Sequence, residues 1–173
     1  PELCEDGIDQ DCNGADLHCG FAGSYDLGSA DVILSTSTSP TDAGRLLEIG
    51  DVDGDGVDDV MVATLSSTDI GAYLVYGPLT ASATLEDSAI PLLSDTTTYG
   101  SGRSIGMGDA NGDGLDDLLV GCPYGPDPGV SLVLGPVTGT PSLSPGDSDA
   151  YLYGDRGSYT GHGSDLADMD GDG

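Results

Sequence analysis

The sequence repeats itself. The acid-rich stretch GDVDGDGVDD at Gly50 returns as GDANGDGLDD at Gly108 and as ADMDGDG at Ala167. The first acids of these stretches, Asp51, Asp109 and Asp168, stand 58 and 59 residues apart, and a glycine lies seven residues before each: Gly44, Gly102 and Gly161. After the first two, VMVATLSSTDIGAYLVYGPL and LLVGCPYGPDPGVSLVLGPV superpose at a spacing of 58 without a gap, so that Gly71 meets Gly129 and Gly77-Pro78 meets Gly135-Pro136. A period in this range belongs to arrays of small units that cannot bury both faces alone and therefore stack.

Each period reads as four short strands. ADVILST (30–36) is matched by AIPLLSD and then AYLYGD; RLLEIG, DVMVAT and AYLVYG follow it. Turn residues separate these runs, and no window shows the three- and four-residue apolar spacing of a helix. The expectation is an all-β chain of tandem four-stranded blades, either an incomplete β-propeller or an open repeat array. Repeats fall near 30–86, 87–146 and 147–173, the last cut inside its acidic loop. This repeat region, 21–173, follows a Cys/Asp-rich segment at 1–20.

The acidic loops pose a problem of charge. Asp51, Asp53, Asp55, Asp58 and Asp59 crowd into nine residues with no lysine nearby, in a chain of 31 acids, three Lys plus Arg and a formal charge of −28. Such a chain repels nucleic acid and anionic lipid, so both make poor partners. No run approaches the roughly 20 apolar residues of a membrane span. Apolar residues make up 37% of the chain and lie in short Val/Ile/Leu/Tyr runs, which argues against an acidic disordered tail.

Calcium resolves the charge problem. It takes six to eight oxygen ligands, and carboxylates at loop positions 1, 3 and 5 converge on one ion when a glycine at position 6 allows the sharp turn. In the first loop these are Asp51, Asp53 and Asp55, with the Val57 carbonyl and Asp59 at positions 7 and 9. In the second they are Asp109, Asn111 and Asp113, with the Leu115 carbonyl and Asp117. The third offers Asp168, Asp170 and Asp172. Asp58 and Asp116, at position 8, are expected to face solvent or cap a strand. An EF-hand or a dockerin-type loop needs an acid at position 12, where this chain has Val62 and Val120. The competing reading, plain solvated turns of Asp and Gly, is weakened by three loops recurring in phase.

GRSIGMGDANGDGLDDLLVGCPYG followed by GVSLVLG resembles the FG-GAP repeat, the blade of integrin α-chain propellers and of many bacterial surface and secreted proteins. The resemblance covers about residues 30 to 173 and implies four-stranded blades with a calcium loop joining two strands at one face. VGCPYG stands for the family's Gly-Ala-Pro element, with Cys122 in place of Ala, whereas the first repeat departs and reads VATLSS. The N-terminal PELCEDGIDQDCNGADLHC resembles a short metal-binding motif of secreted bacterial proteins. That likeness implies Asp9, Asp11 and Asn13 as ligands, although Leu17 stands where the motif's last acid usually falls. Cys4 and Cys12 are placed to staple that loop. Cys19 either pairs with Cys122, or Cys122 is a buried blade residue.

The functional expectation is an extracellular or cell-surface calcium-binding protein, non-catalytic, with an adhesion or scaffold role toward another protein or a glycan. The alternative is a self-assembling fibre in which Asp168, Asp170 and Asp172 join acids of the next copy. A secreted hydrolase using His162 with Ser158, Ser164 and Asp165 is the weakest reading, since a triad is a matter of spatial geometry. A softer metal at His18, Cys12 and Cys19 lacks a supporting Cys-x-x-Cys or His pair. Tyr73, Tyr76, Tyr151 and Tyr153 alternate as half-buried strand residues, expected to pack between blades.

Overall fold

The computed structural model describes residues 28, 30–37, 43–64, 70–94, 100–124 and 126–166. The chain divides into two units, Pro1–Ala30 and Asp31–Gly173, and the second holds every strand and helix described. These elements, in chain order, are β1 (Leu34–Ser35), β2 (Leu47–Gly50), β3 (Asp59–Ala63), β4 (Ile70–Val75), β5 (Ala83–Thr84), α1 (Leu85–Ser88), β6 (Ile90–Leu93), β7 (Ile105–Gly108), β8 (Asp117–Cys122), β9 (Gly129–Val133) and β10 (Ala150–Tyr153).

Eight strands form two four-stranded sheets, ordered β2-β3-β4-β6 and β7-β8-β9-β10, antiparallel throughout. The two share a register: Leu47 pairs with Val62 and Gly50 with Asp59, as Ile105 pairs with Val120 and Gly108 with Asp117. Each sheet thus begins with a hairpin whose turn is one of the acidic loops.

The phase of the fourth strand differs from the expectation. The run at 30–36 was expected to open the first blade, but only Leu34 and Ser35 are strand, and they pair in parallel with Ala83 and Thr84. The equivalent run one period later, β6, closes the first sheet, and β10 closes the second. Each period's opening strand therefore belongs to the sheet before it. The same parallel contact recurs one period on, where Leu93 bridges Ser142. The single turn of α1 also lies outside the strand-only expectation. Its Leu85 is buried against Val62, Tyr73 and Val75, and the Thr84 hydroxyl donates to Asp87 at 2.7 Å.

The sheets stack face to face. Strand alternation turns Met61, Ala63, Ala72, Leu74 and Leu92 of the first sheet toward Ile105, Met107, Leu118, Val120, Cys122 and Val133 of the second. Val52, Val137 and Leu143 fill the sides of this core. A fully buried Leu or Met contributes about 1.5–3 kcal/mol by leaving water, so this interface is the main source of cohesion between the sheets. A hydrogen bond reinforces it: the Tyr76 hydroxyl donates to the Val137 carbonyl at 2.6 Å.

The recurrent glycine seven residues before each loop serves this stacking. Gly102 and Gly161 both hold left-handed φ, +82° and +89°. A Cβ on Gly102 would fall on the Gly71 carbonyl oxygen of the first sheet, and one on Gly161 on the Gly129 carbonyl oxygen of the second. Gly44 adopts the same φ, +83°, with open space around it.

The tyrosines divide. Tyr73 is buried, and Tyr76 packs on the core. Tyr153, at 66% exposure, lies on the surface beside Tyr151 rather than between the sheets.

Candidate metal centre

Each acidic loop is shaped by its own carboxylates. In the first, Asp51 Oδ1 accepts the Gly54 N–H at 2.8 Å and Oδ2 accepts the Gly56 N–H at 2.9 Å. Asp53 Oδ1 accepts from Asp55 N–H and Asp55 Oδ1 from Val57 N–H, at 3.1 and 2.8 Å. The second loop repeats this. Asp109 accepts from Gly112 and Gly114 N–H at 2.7 Å each, Asn111 Oδ1 from Asp113 N–H at 2.8 Å, and Asp113 Oδ1 from Leu115 N–H at 3.0 Å. Gly54, Gly56, Gly112 and Gly114 all take left-handed φ between +77° and +87°, which is why the loops require glycine there.

Position 9 is built differently. Asp59 is 1% exposed, and its two oxygens accept the Val52 N–H at 3.0 Å and the Gly77 N–H at 2.8 Å. Asp117, 0% exposed, accepts from Ala110 at 2.9 Å and Gly135 at 2.8 Å. Each carboxylate ties the loop to the turn that follows the sheet's third strand. These aspartates, read from spacing only as ligands, fasten the backbone.

Carboxylate oxygens of Asp51, Asp53 and Asp59 converge within 4.8 Å of one another. Asp55 is exposed and stays outside that group, and Val57 is 38% exposed. Burial pushes the Asp59 carboxyl above the ordinary aspartate range; the Gly77 and Val52 N–H bonds oppose this, and the charges of Asp53 and Asp51 add to it. Asp109 moves the other way, lowered chiefly by the Gly114 N–H, with smaller help from Gly112, Asp113 and Asn111. Asp168, Asp170 and Asp172 of the third loop lie outside the described residues, as do Asp9, Asp11, Asn13, His18, Cys4, Cys12 and Cys19.

Residues 101–134, which span the second loop with β7, β8 and β9, match the family model of the FG-GAP repeat. This segment is an FG-GAP repeat. The two four-stranded antiparallel sheets are consistent with FG-GAP blades, and the first uses the same register and loop geometry as the matched second. Integrin alpha-PS5 of Drosophila melanogaster is 34% identical over 139 residues, covering 71% of this chain and 13% of the relative. Integrin alpha pat-2 of Caenorhabditis elegans is 34% identical over 84 residues, 46% of this chain and 6% of the relative, and its Caenorhabditis briggsae counterpart is 32% identical over 90 residues. The chain therefore spans about an eighth or less of the length of these relatives.

Asp116 reaches the first loop. Its carboxylate, expected at solvent or a strand cap, accepts the Asp51 N–H of the first loop at 2.8 Å, and its own N–H donates to the Asp51 carbonyl at 2.9 Å. The signal for it was Gly50, where any Cβ would collide with the Asp116 carboxylate. Asp58, its equivalent in the first repeat, is exposed.

The hydrolase arrangement does not form among the described residues. His162 Nε2 lies 3.0 Å from the Tyr124 hydroxyl, Ser158 is bonded to Thr160, and Ser164 to Ser104. Tyr124 also accepts from Arg103 at 2.9 Å, so these side chains form a packed contact among Tyr124, Tyr159, His162 and Arg103. Among the described residues, no helix is long and apolar enough to cross a membrane.

Proposed function

We propose that this chain is a calcium-binding FG-GAP segment of an extracellular or cell-surface protein, non-catalytic, serving adhesion or scaffolding toward another protein or a glycan. The observation that carries the reading is the convergence of Asp51, Asp53 and Asp59 on a loop whose backbone N–H groups already hold the first carboxylate in place. An all-oxygen donor set with three carboxylates suits a hard divalent cation. Burial raises the Asp59 carboxyl and the like charges of Asp53 and Asp51 add to the rise, a cost that such a cation would relieve. In the first loop Asp51, Asp53, Asp55, Asp59 and the Val57 carbonyl would hold the ion; in the second, Asp109, Asn111, Asp113, Asp117 and the Leu115 carbonyl. Calcium, when bound, supplies the charge that neutralises the loop. The chain's own residues set the turn and anchor it to the sheets. The adhesion role follows from the likeness to integrin alpha chains.

The test is a calcium titration by calorimetry beside thermal melts in calcium and in chelator. Free calcium at 100 times Kd is expected to add about 2.7 kcal/mol per site. No binding heat and identical melts in the two conditions would sink the calcium reading. Asp53 is exposed and, among the described residues, bonds within its own loop. Asp53→Ala is therefore expected to weaken first-loop binding about tenfold or more, while stability in chelator changes by no more than about 0.5 kcal/mol.

A further inference from the structure

The two loops touch each other. Asp116 stands between Leu115 and Asp117, at positions 7 and 9 of the second loop, and it bonds twice to Asp51, at position 1 of the first. The contact is broader than this pair. A Cβ on Gly54 would lie 2.6 Å from Leu115 Cδ2, and one on Gly135 would lie 2.8 Å from the Val52 carbonyl and 2.9 Å from the Asp116 carbonyl. Gly54 in the first loop thus admits the Leu115 side chain of the second, and Gly135, in the turn after β9, admits backbone of both. No such bond is needed to close either turn, because each loop is already closed by its own Asx contacts.

We infer that Asp116 is a positioning residue that couples the two loops, so that calcium in the second loop tightens calcium binding in the first. This rests on the reading of both loops as calcium sites. When the Leu115 carbonyl and the Asp117 carboxylate are fixed by an ion, Asp116 between them is fixed as well. Its carboxylate then holds the Asp51 N–H, which sets the backbone from which the first ligand of the other loop projects. Asp116 also brings a negative charge to the edge of the first loop. Linkage makes the effect reciprocal, and couplings of this kind run from about 5- to 150-fold in affinity. One charge-assisted bond in a half-buried place puts this one at the lower end, about 5- to 20-fold.

The loops can be read separately by nuclear magnetic resonance, since Gly54 and Gly56 report the first and Gly112 and Gly114 the second. Calcium is titrated into the 173-residue chain and into Asp113→Ala, whose substitution weakens the second loop at an exposed position. The expected result is that Asp113→Ala shifts the first loop's midpoint about 5- to 20-fold higher in calcium. Adding Asp116→Ala should abolish that dependence, whereas Asp116→Asn, which keeps an acceptor oxygen, should retain it. A first-loop midpoint unmoved by Asp113→Ala overturns the coupling, with calcium binding intact, and this comparison stands even if Asp116→Ala fails to fold. Glycine amides that ignore calcium in both loops overturn the calcium reading itself, and the coupling with it.

Discussion

Gly102→Ala is expected to destabilise the protein by about 3 kcal/mol or more, while Gly44→Ala costs about 1–2 kcal/mol. The two positions are one period apart and have nearly the same left-handed φ, +82° and +83°. Alanine carries the same conformational cost at both. Only at Gly102 does the added methyl meet backbone: it falls on the Gly71 carbonyl oxygen and comes within 2.8 Å of the Thr64 carbonyl. The Gly71 oxygen cannot rotate away, because Gly71 lies in β4 and its carbonyl accepts the Thr64 N–H. Relief requires the second sheet to back off and to open the shared core of Met61, Leu74, Leu118 and Val120. Urea denaturation of the two variants side by side is the measurement. Equal losses would mean that the glycine is kept for its φ alone and that the close approach of the sheets carries no energy.

Asp59→Ala is expected to cost about 3 kcal/mol in chelator. The carboxylate is fully buried and satisfies two backbone donors, Val52 N–H and Gly77 N–H. Alanine leaves both without an acceptor, and an unsatisfied buried donor costs about 1–3 kcal/mol. Asp59→Asn should lie between alanine and wild type: it keeps one acceptor oxygen, sets an amide against the second N–H, and removes a charge that burial and the neighbouring Asp53 and Asp51 disfavour. In calcium both variants should also lose the stabilisation contributed by the first loop, so their deficit widens. Thermal melts of the three proteins with and without calcium read both effects. A deficit that is the same in calcium and in chelator would leave Asp59 as a fastener alone and remove it from the ligand set.

Much of this was legible because the period is long and strict. Two matched copies of strand, loop, strand and turn predicted β2, β3 and β4 and their counterparts β7, β8 and β9. Phase was not legible. A periodic string has no marked origin, so nothing in AIPLLSD says whether it pairs with the strands before it or after it; the pairing of Ala72 with Leu92 decides that in space. Asp116 was hidden for a related reason. Its partner, the Asp51 N–H, is a backbone group 65 positions away, and only the small residue beside it, Gly50, marks the contact in the sequence. Spacing singled out Asp59 and Asp117 as ligands, and the rule that places an acid at position 9 does not say that its oxygens bind amides of the next turn.

The borrowed fourth strand bears on how such chains change in number. Because each sheet takes three strands from one period and the last from the next, the unit that is copied and the unit that folds are out of step. A duplication or deletion of one whole period, begun at any point along it, leaves every interior sheet with four strands, as its neighbour supplies the missing one. The offset also stitches adjacent sheets covalently, since the segment that leaves β6 goes on to build β7 in the next sheet. Length can therefore be edited in steps of about 58 residues without mending a sheet. An edit of any other size would strip a strand or misplace a loop.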